Sequence, residues 1–264
     1  MGFIKGVIIL VVSFLLFFTF IAMNISLTIG MSLSYDVIKP ELNLLVNELT
    51  EKEIDMGNLI SESLPEMQEY CVNFTEFVFS IEGYVFSIPC EIVNQGEDAV
   101  ANKMLDEFIE KIYYQDYECS FWDCFGKTGK PFFLVSKQSR DYFYNKFYLC
   151  ILISVILFLI IFLFSKTKNN SFIVAGVLLA VSAIPFLKLD WFASFLANIS
   201  LLDFFGSFFS KARTVFVISF FIGVIIFVFG ILMKFFNFGI KISGYFDKFG
   251  KKKKIENQKI EKQK

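Results

Sequence analysis

Two cysteines five positions apart, Cys119 and Cys124, sit in the stretch YYQDYECSFWDCF, residues 113–125, among aromatic and acidic neighbours. Thiols at that spacing can close a disulfide, contribute to a thiolate metal site, or cycle between oxidised and reduced forms. Cys71 and Cys90 precede them, and Cys150 lies alone in a long apolar run. An even number of cysteines in a translocated segment points to two disulfides. Three connectivities are possible, of which Cys71 with Cys90 and Cys119 with Cys124 is the most local. A zinc site is the weaker reading, because the two-to-four-residue ligand spacing is not met twice over. A labile redox pair is the third, although no C-x-x-C motif is present. Cys150 reads as a small apolar side chain in lipid.

Other chemistry is scarce. The chain has no histidine, which removes His-based acid/base catalysis, Ser-His-Asp and Cys-His nucleophiles and H-E-x-x-H zinc sites together. No phosphate-binding glycine loop is present, and Ser165-Lys166-Thr167-Lys168 matches S-x-x-K only in a tight loop without pocket-forming neighbours. The acidic clusters EKEID and DEFIE lack EF-hand spacing and read as solvated helix faces. Asn73-Phe74-Thr75 is a glycosylation sequon; a second, Asn198-Ile199-Ser200, falls close to the membrane. No cofactor and no nucleic-acid partner is expected.

The elements that position these residues follow from composition. Apolar residues make up 55% of the chain and aromatics 19%, with 37 Phe, which is the signature of an integral membrane protein. Four uncharged runs approach the roughly 20 residues that cross a bilayer. They predict an uncleaved signal-anchor helix within 1–30 and further spanning helices at 147–165, 169–187 and 214–235. Lys5, Lys166, Lys168 and Lys251–Lys254 flank these runs on one side, so both termini are expected in the cytoplasm. That leaves 31–146 and 188–213 outside. The larger outer segment carries 21 Asp and Glu against 9 Lys and Arg, so the near-neutral total hides opposed halves. Lys251, Lys252, Lys253 and Lys254, in the basic tail 236–264, would face anionic lipid of the inner leaflet, at about 1 kcal/mol each.

Within 31–146, apolar residues from Ile38 to Met67 at spacings of three and four predict an amphipathic stalk helix. Alternation from Phe77 to Ile81 and from Tyr84 to Ile88 about Glu82-Gly83 predicts a hairpin. A helix is expected from Glu97, with Val100, Met104, Leu105, Phe108, Ile109 and Ile112 on its apolar face. GKTGKP reads as a turn and FFLV, residues 132–135, as a short strand. Ser136 or Ser139 is placed to cap a helix that runs into the second span. In 188–213, Asp190 and Asp203 suit the N-caps of two interfacial helices or of one re-entrant hairpin.

Small residues recur along the spans: Ala22, Ser26 and Gly30; Gly176, Ala180 and Ala183; Gly223 and Gly230. Such spacings let helices approach closely within one chain or between copies of a homo-oligomer. The expected fold is a mainly α membrane protein of four transmembrane helices, with an α+β, disulfide-stabilised extracytoplasmic domain inserted between the first two. The expected function is non-enzymatic: presentation of that acidic domain to envelope or partner proteins, with Phe121, Trp122 and Phe125 as the contact patch. A homo-oligomeric channel and a membrane thiol-disulfide oxidoreductase are the alternatives.

Overall fold

Runs of apolar residue types need the backbone to satisfy its own hydrogen bonds if they are to lie in lipid, and the α-helix does so within one segment. The computed structural model describes residues 2–43, 56–81, 84–125, 131–165, 167–188 and 208–235. In chain order these form α1 (Gly2–Ser32), α2 (residues 35–43), α3 (Met56–Tyr70), β1 (Glu76–Ile81), β2 (Tyr84–Pro89) and α4 (Cys90–Val93). There follow α5 (Glu97–Tyr114), α6 (Phe121–Phe125), a 3₁₀ turn at Pro131–Val135, α7 (Lys137–Phe164), α8 (Lys168–Ala183), a 3₁₀ turn at Ile184–Leu187 and α9 (Ala212–Phe235). Among the described residues, four segments are long and apolar enough to cross a membrane: Ile4–Ser32, Lys137–Phe164, Lys168–Leu187 and Ala212–Phe235. The chain divides into a helical unit, residues 1–29 with 144–264, and an inserted unit, residues 30–143.

In the helical unit α8 and α9 pack backbone against backbone. A Cβ placed on Gly176 would lie 2.5 Å from the Phe227 nitrogen, and one on Gly223 would lie 2.7 Å from the Ala180 nitrogen. Only glycine permits that approach. A cluster of Leu16 and Phe20 from α1, Ile161 from α7, and Ala175 and Leu179 from α8 forms the buried apolar centre. Beside it lies a polar node. Ser219 Oγ donates to Asn24 Oδ1 at 2.7 Å, Asn24 Nδ2 donates to Ser182 Oγ at 3.4 Å, and all three side chains are buried. Asn24 therefore bonds α1 to both α8 and α9, where no water competes. Of the predicted packing residues, Ser26, Gly30, Gly176, Ala183, Gly223 and Gly230 are buried and Ala180 is half-buried, whereas Ala22 is exposed. Beside Ser26 and Gly30, the buried positions of α1 include Leu16, Phe20, Asn24 and Thr28, at a spacing of four.

The inserted unit is built on β1 and β2, antiparallel, with Phe77 opposite Ile88 and Phe79 opposite Phe86. Those four face α3, α4 and α5, while Val78 and Val85 point to the other, exposed side, as the two-residue period of a strand requires. The turn residues Glu82 and Gly83 lie outside the described residues. Ile60 and Met67 of α3 meet Ile88, Val93, Val100 and Met104 in one core. The second half of the predicted stalk helix thus packs its apolar stripe against the hairpin and α5, and residues 44–55 between its halves lie outside the described residues. Ile38 and Leu42 of α2 are buried as well, and Lys39 pairs with Asp106 of α5 at 2.8 Å.

Two further expectations resolve here. Residues 132–135 are a 3₁₀ turn, not a strand. The Phe133 carbonyl accepts from Ser136 Oγ at 2.6 Å and from Ser139 Oγ at 2.8 Å, local bonds that curl the chain away from an extended form. Ser136 then caps α7, accepting from the Ser139 backbone N–H at 3.3 Å. Glu97 and Asp98 occupy the first turn of α5, behind an N-cap at Gly96 whose φ of 102° favours glycine. Asp190, Asp203, most of the predicted interfacial segment and Lys251–Lys254 lie outside the described residues.

Candidate functional site: the disulfide-closed aromatic loop

Both local disulfides are formed. Cys71 joins Cys90 with their Cα atoms 5.3 Å apart, and Cys119 joins Cys124 at 5.7 Å. The first fastens the end of α3 to the end of the hairpin. Backbone pairing supports it, since the Cys90 N–H donates to the Thr75 carbonyl at 2.9 Å. The second closes a tight loop around α6. Cys150 is the free cysteine.

The second loop is fixed from several sides. Ser120 accepts from the Asp123 backbone N–H at 3.4 Å, and its own hydroxyl donates to the Asp123 carboxylate at 2.6 Å. Gln138, in the first turn of α7, brackets the loop with its amide: its oxygen accepts from the Tyr117 N–H at 3.2 Å and its nitrogen donates to the Cys119 carbonyl at 2.8 Å. Tyr117, Cys124 and Phe133 form a small buried cluster beneath. Phe121 packs over it, stacked on Tyr142 with ring centroids 4.1 Å apart and edge-on to Phe143 at 5.5 Å. Such pairs add to the gain from burial alone.

The three residues of the predicted contact patch therefore part company. Phe121 belongs to the packing. Trp122, edge-on to Phe121 at 5.4 Å, leaves 68% of its surface exposed. Phe125 ends α6 at the border of the described residues. Of the two sulfurs, the Cys124 side is buried and the Cys119 side half-buried, so a thiol would reach the bridge at Cys119.

A second concentration of functional groups escaped the sequence. Tyr113, fully buried, donates to the Leu33 carbonyl at 2.9 Å and accepts from Arg140 Nη1 at 3.3 Å, while Arg140 holds Asp141 at 2.8 Å. Burial pushes the Tyr113 phenol above its usual value, against the opposing pull of Arg140. The rings of Tyr35 and Tyr114 close around it at 5.2 and 4.9 Å. The contacts to Leu33 and Arg140 span 80 and 27 residues, so no local spacing announces them. Asn24 was missed for another reason: a single Asn in an apolar run carries no charge, although its amide needs partners in lipid as a charge would. No metal-holding group of His, Cys, Asp or Glu occurs among the described residues. Comparison with known protein families, characterised proteins and solved structures gives no match to this chain, so its function has to be read from its own residues.

Proposed function

We propose that this is a non-enzymatic multipass membrane protein that presents the disulfide-bonded unit 30–143, on the non-cytoplasmic side, to a protein partner through Trp122. The observation that carries the reading is the exposed indole on a rigid mount. An α6 loop closed by a disulfide, capped by Ser120 and bracketed by Gln138 keeps Trp122 in water at 68% exposure. Interface hot spots are enriched in Trp, and a rigid one loses little entropy on docking. The excess of acidic residues in 31–146 favours a partner with a basic surface, since opposite charge steers encounter. The two disulfides support an oxidising compartment for this unit.

Photo-cross-linking in living cells tests this directly. A benzophenone amino acid at position 122 is expected to give a discrete protein adduct, and the same probe at exposed Glu91 on α4 is not. Equal, diffuse labelling from both positions would sink the proposal. A basic partner predicts further that the adduct fades as salt rises past about 0.15 M, where the screening length falls below about 8 Å.

A further inference from the structure

The helical unit contains a cavity of about 520 Å³, walled by residues of α1, α7, α8 and α9. That volume lies within the roughly 300–1,000 Å³ range of small-molecule sites. Its wall is apolar except for two hydroxyls, Ser154 of α7 and Ser219 of α9. Ser219 is committed as donor to Asn24 and keeps acceptor capacity. Ser154 is more than nine-tenths buried, and its Oγ has no hydrogen-bond partner among the described residues. A buried hydroxyl without a partner is costly, and more so in a membrane, where no bulk water relieves it. On a helix a serine usually returns its hydroxyl to the preceding turn. Here Ser154 does not.

We infer that the cavity is a binding site for the uncharged portion of a lipid, whose hydrocarbon chain fills the apolar wall and one of whose uncharged oxygens, ester carbonyl or hydroxyl, pairs with Ser154. The surroundings select this class. Helices long and apolar enough to cross a bilayer leave lipid as the medium outside the cavity mouth. No ionisable side chain lines the wall among the described residues, so a charged head group would enter unpaired. A plain hydrocarbon would fill the space but leave Ser154 unsatisfied. An ester carbonyl of a bilayer glycerolipid and the hydroxyl of a free long-chain alcohol share the required chemistry. This site is independent of the Trp122 surface.

The test uses the full chain in phosphatidylcholine nanodiscs with three photoactivatable probes: a phosphatidylcholine with a diazirine in its acyl chain, a diazirine-bearing long-chain alcohol, and the matching hydrocarbon. Adducts are mapped by mass spectrometry. Oxygen-bearing probes are expected to concentrate on wall residues such as Ile151 and Phe229. Filling the cavity from α9 by Ile222→Trp or from α7 by Val155→Trp removes that labelling; Leu159→Trp, outside the lining, leaves it. Ser154→Ala, a change small enough to keep the fold, lowers labelling by the oxygen-bearing probe about three- to ten-fold and leaves the hydrocarbon unchanged. Labelling by the phosphatidylcholine assigns the oxygen to a bilayer ester, and labelling by the alcohol alone assigns it to a free lipid. Adducts spread evenly over the lipid-facing surface and indifferent to both Trp fillings overturn the site. Equal loss or equal retention of all probes in Ser154→Ala overturns the role of the oxygen.

Discussion

Tyr113 joins three kinds of interaction in one side chain: a fully buried ring, a hydroxyl donated to Leu33 and a contact from Arg140. Tyr113→Phe keeps the ring and strands a buried carbonyl, so it should lower the stability of the inserted unit by about 1–3 kcal/mol, read from thermal unfolding of the full chain in detergent. Its pH dependence has a definite sign. Because burial raises the folded-state pKa, the neutral phenol is favoured, and that stabilisation is complete below the unfolded value of about 10. It is lost as pH climbs through the higher folded value. Tyr35, raised mainly by burial, and Lys39, raised mainly by its hydrogen bond to Asp106, weaken in the same alkaline range. Tyr113→Phe should therefore flatten the alkaline loss without abolishing it, in unfolding profiles followed above about pH 9. The cysteines make a second residue-scale prediction. Mass-spectrometric mapping without reductant should find Cys71–Cys90 and Cys119–Cys124, with Cys150 free. Sequence separations of 19 and 5 imply that Cys71→Ser costs about 3 kcal/mol and Cys119→Ser about 2 on loop-entropy grounds. The local pairing was one of three that spacing allowed; the ladder bond from Cys90 to Thr75 that holds Cys90 beside the end of α3 exists only once the hairpin has formed.

At the scale of elements, the α8/α9 contact makes the sharpest demand. Gly176→Ala would set a methyl 2.5 Å from backbone, which cannot yield as a flexible side chain would, so the helices must part. The expected cost is about 1–3 kcal/mol. Gly6→Ala in α1, where nothing lies within 4 Å, should be neutral or slightly stabilising. Unfolding of both variants in mixed detergent micelles compares them directly, and an equal response would show that the two helices are not held at glycine distance. Legibility at this scale tracks period. The long apolar runs, the alternation through Phe77–Ile81 and Tyr84–Ile88 and the 3.6-residue stripe of α5 were readable, because each pattern belongs to one face of one element. Residues 132–135 were not, since two serines further along the chain, through Phe133, decide their conformation. Nor was the buried position of Asn24 in α1. Small residues suggested Ala22, Ser26 and Gly30, of which Ser26 and Gly30 are buried, but they gave no sign of Asn24, whose partners Ser182 and Ser219 lie 158 and 195 residues away.

For the molecule as a whole, charge placement argues for one topology. The segment 31–146 holds 21 acidic and 9 basic residues, while the short flanks at Lys5, Lys166, Lys168 and Lys251–Lys254 are basic. Lys and Arg in short flanks resist translocation, whereas acidic side chains contribute little, so the flanks are expected to stay cytoplasmic and the acidic unit to be translocated. The two disulfides agree with that side, being stable where thiols are oxidised. A membrane-impermeant maleimide should therefore label Asn94→Cys, exposed after α4, in intact cells, and should reach Lys5→Cys only after the membrane is opened. If Lys5→Cys is labelled first, the inserted unit lies in the cytoplasm and its disulfides would need another oxidant. The same experiment separates orientation from its cause. Replacing Lys166 and Lys168 with Gln removes the basic charge of the short loop between α7 and α8 but leaves Lys5 and the tail, so Lys5→Cys should stay protected in most molecules while the α7–α8 pair inserts less reliably. Removing Lys5 as well should produce a mixed population, because the remaining basic flank lies after the last span and acts only once the others have been placed.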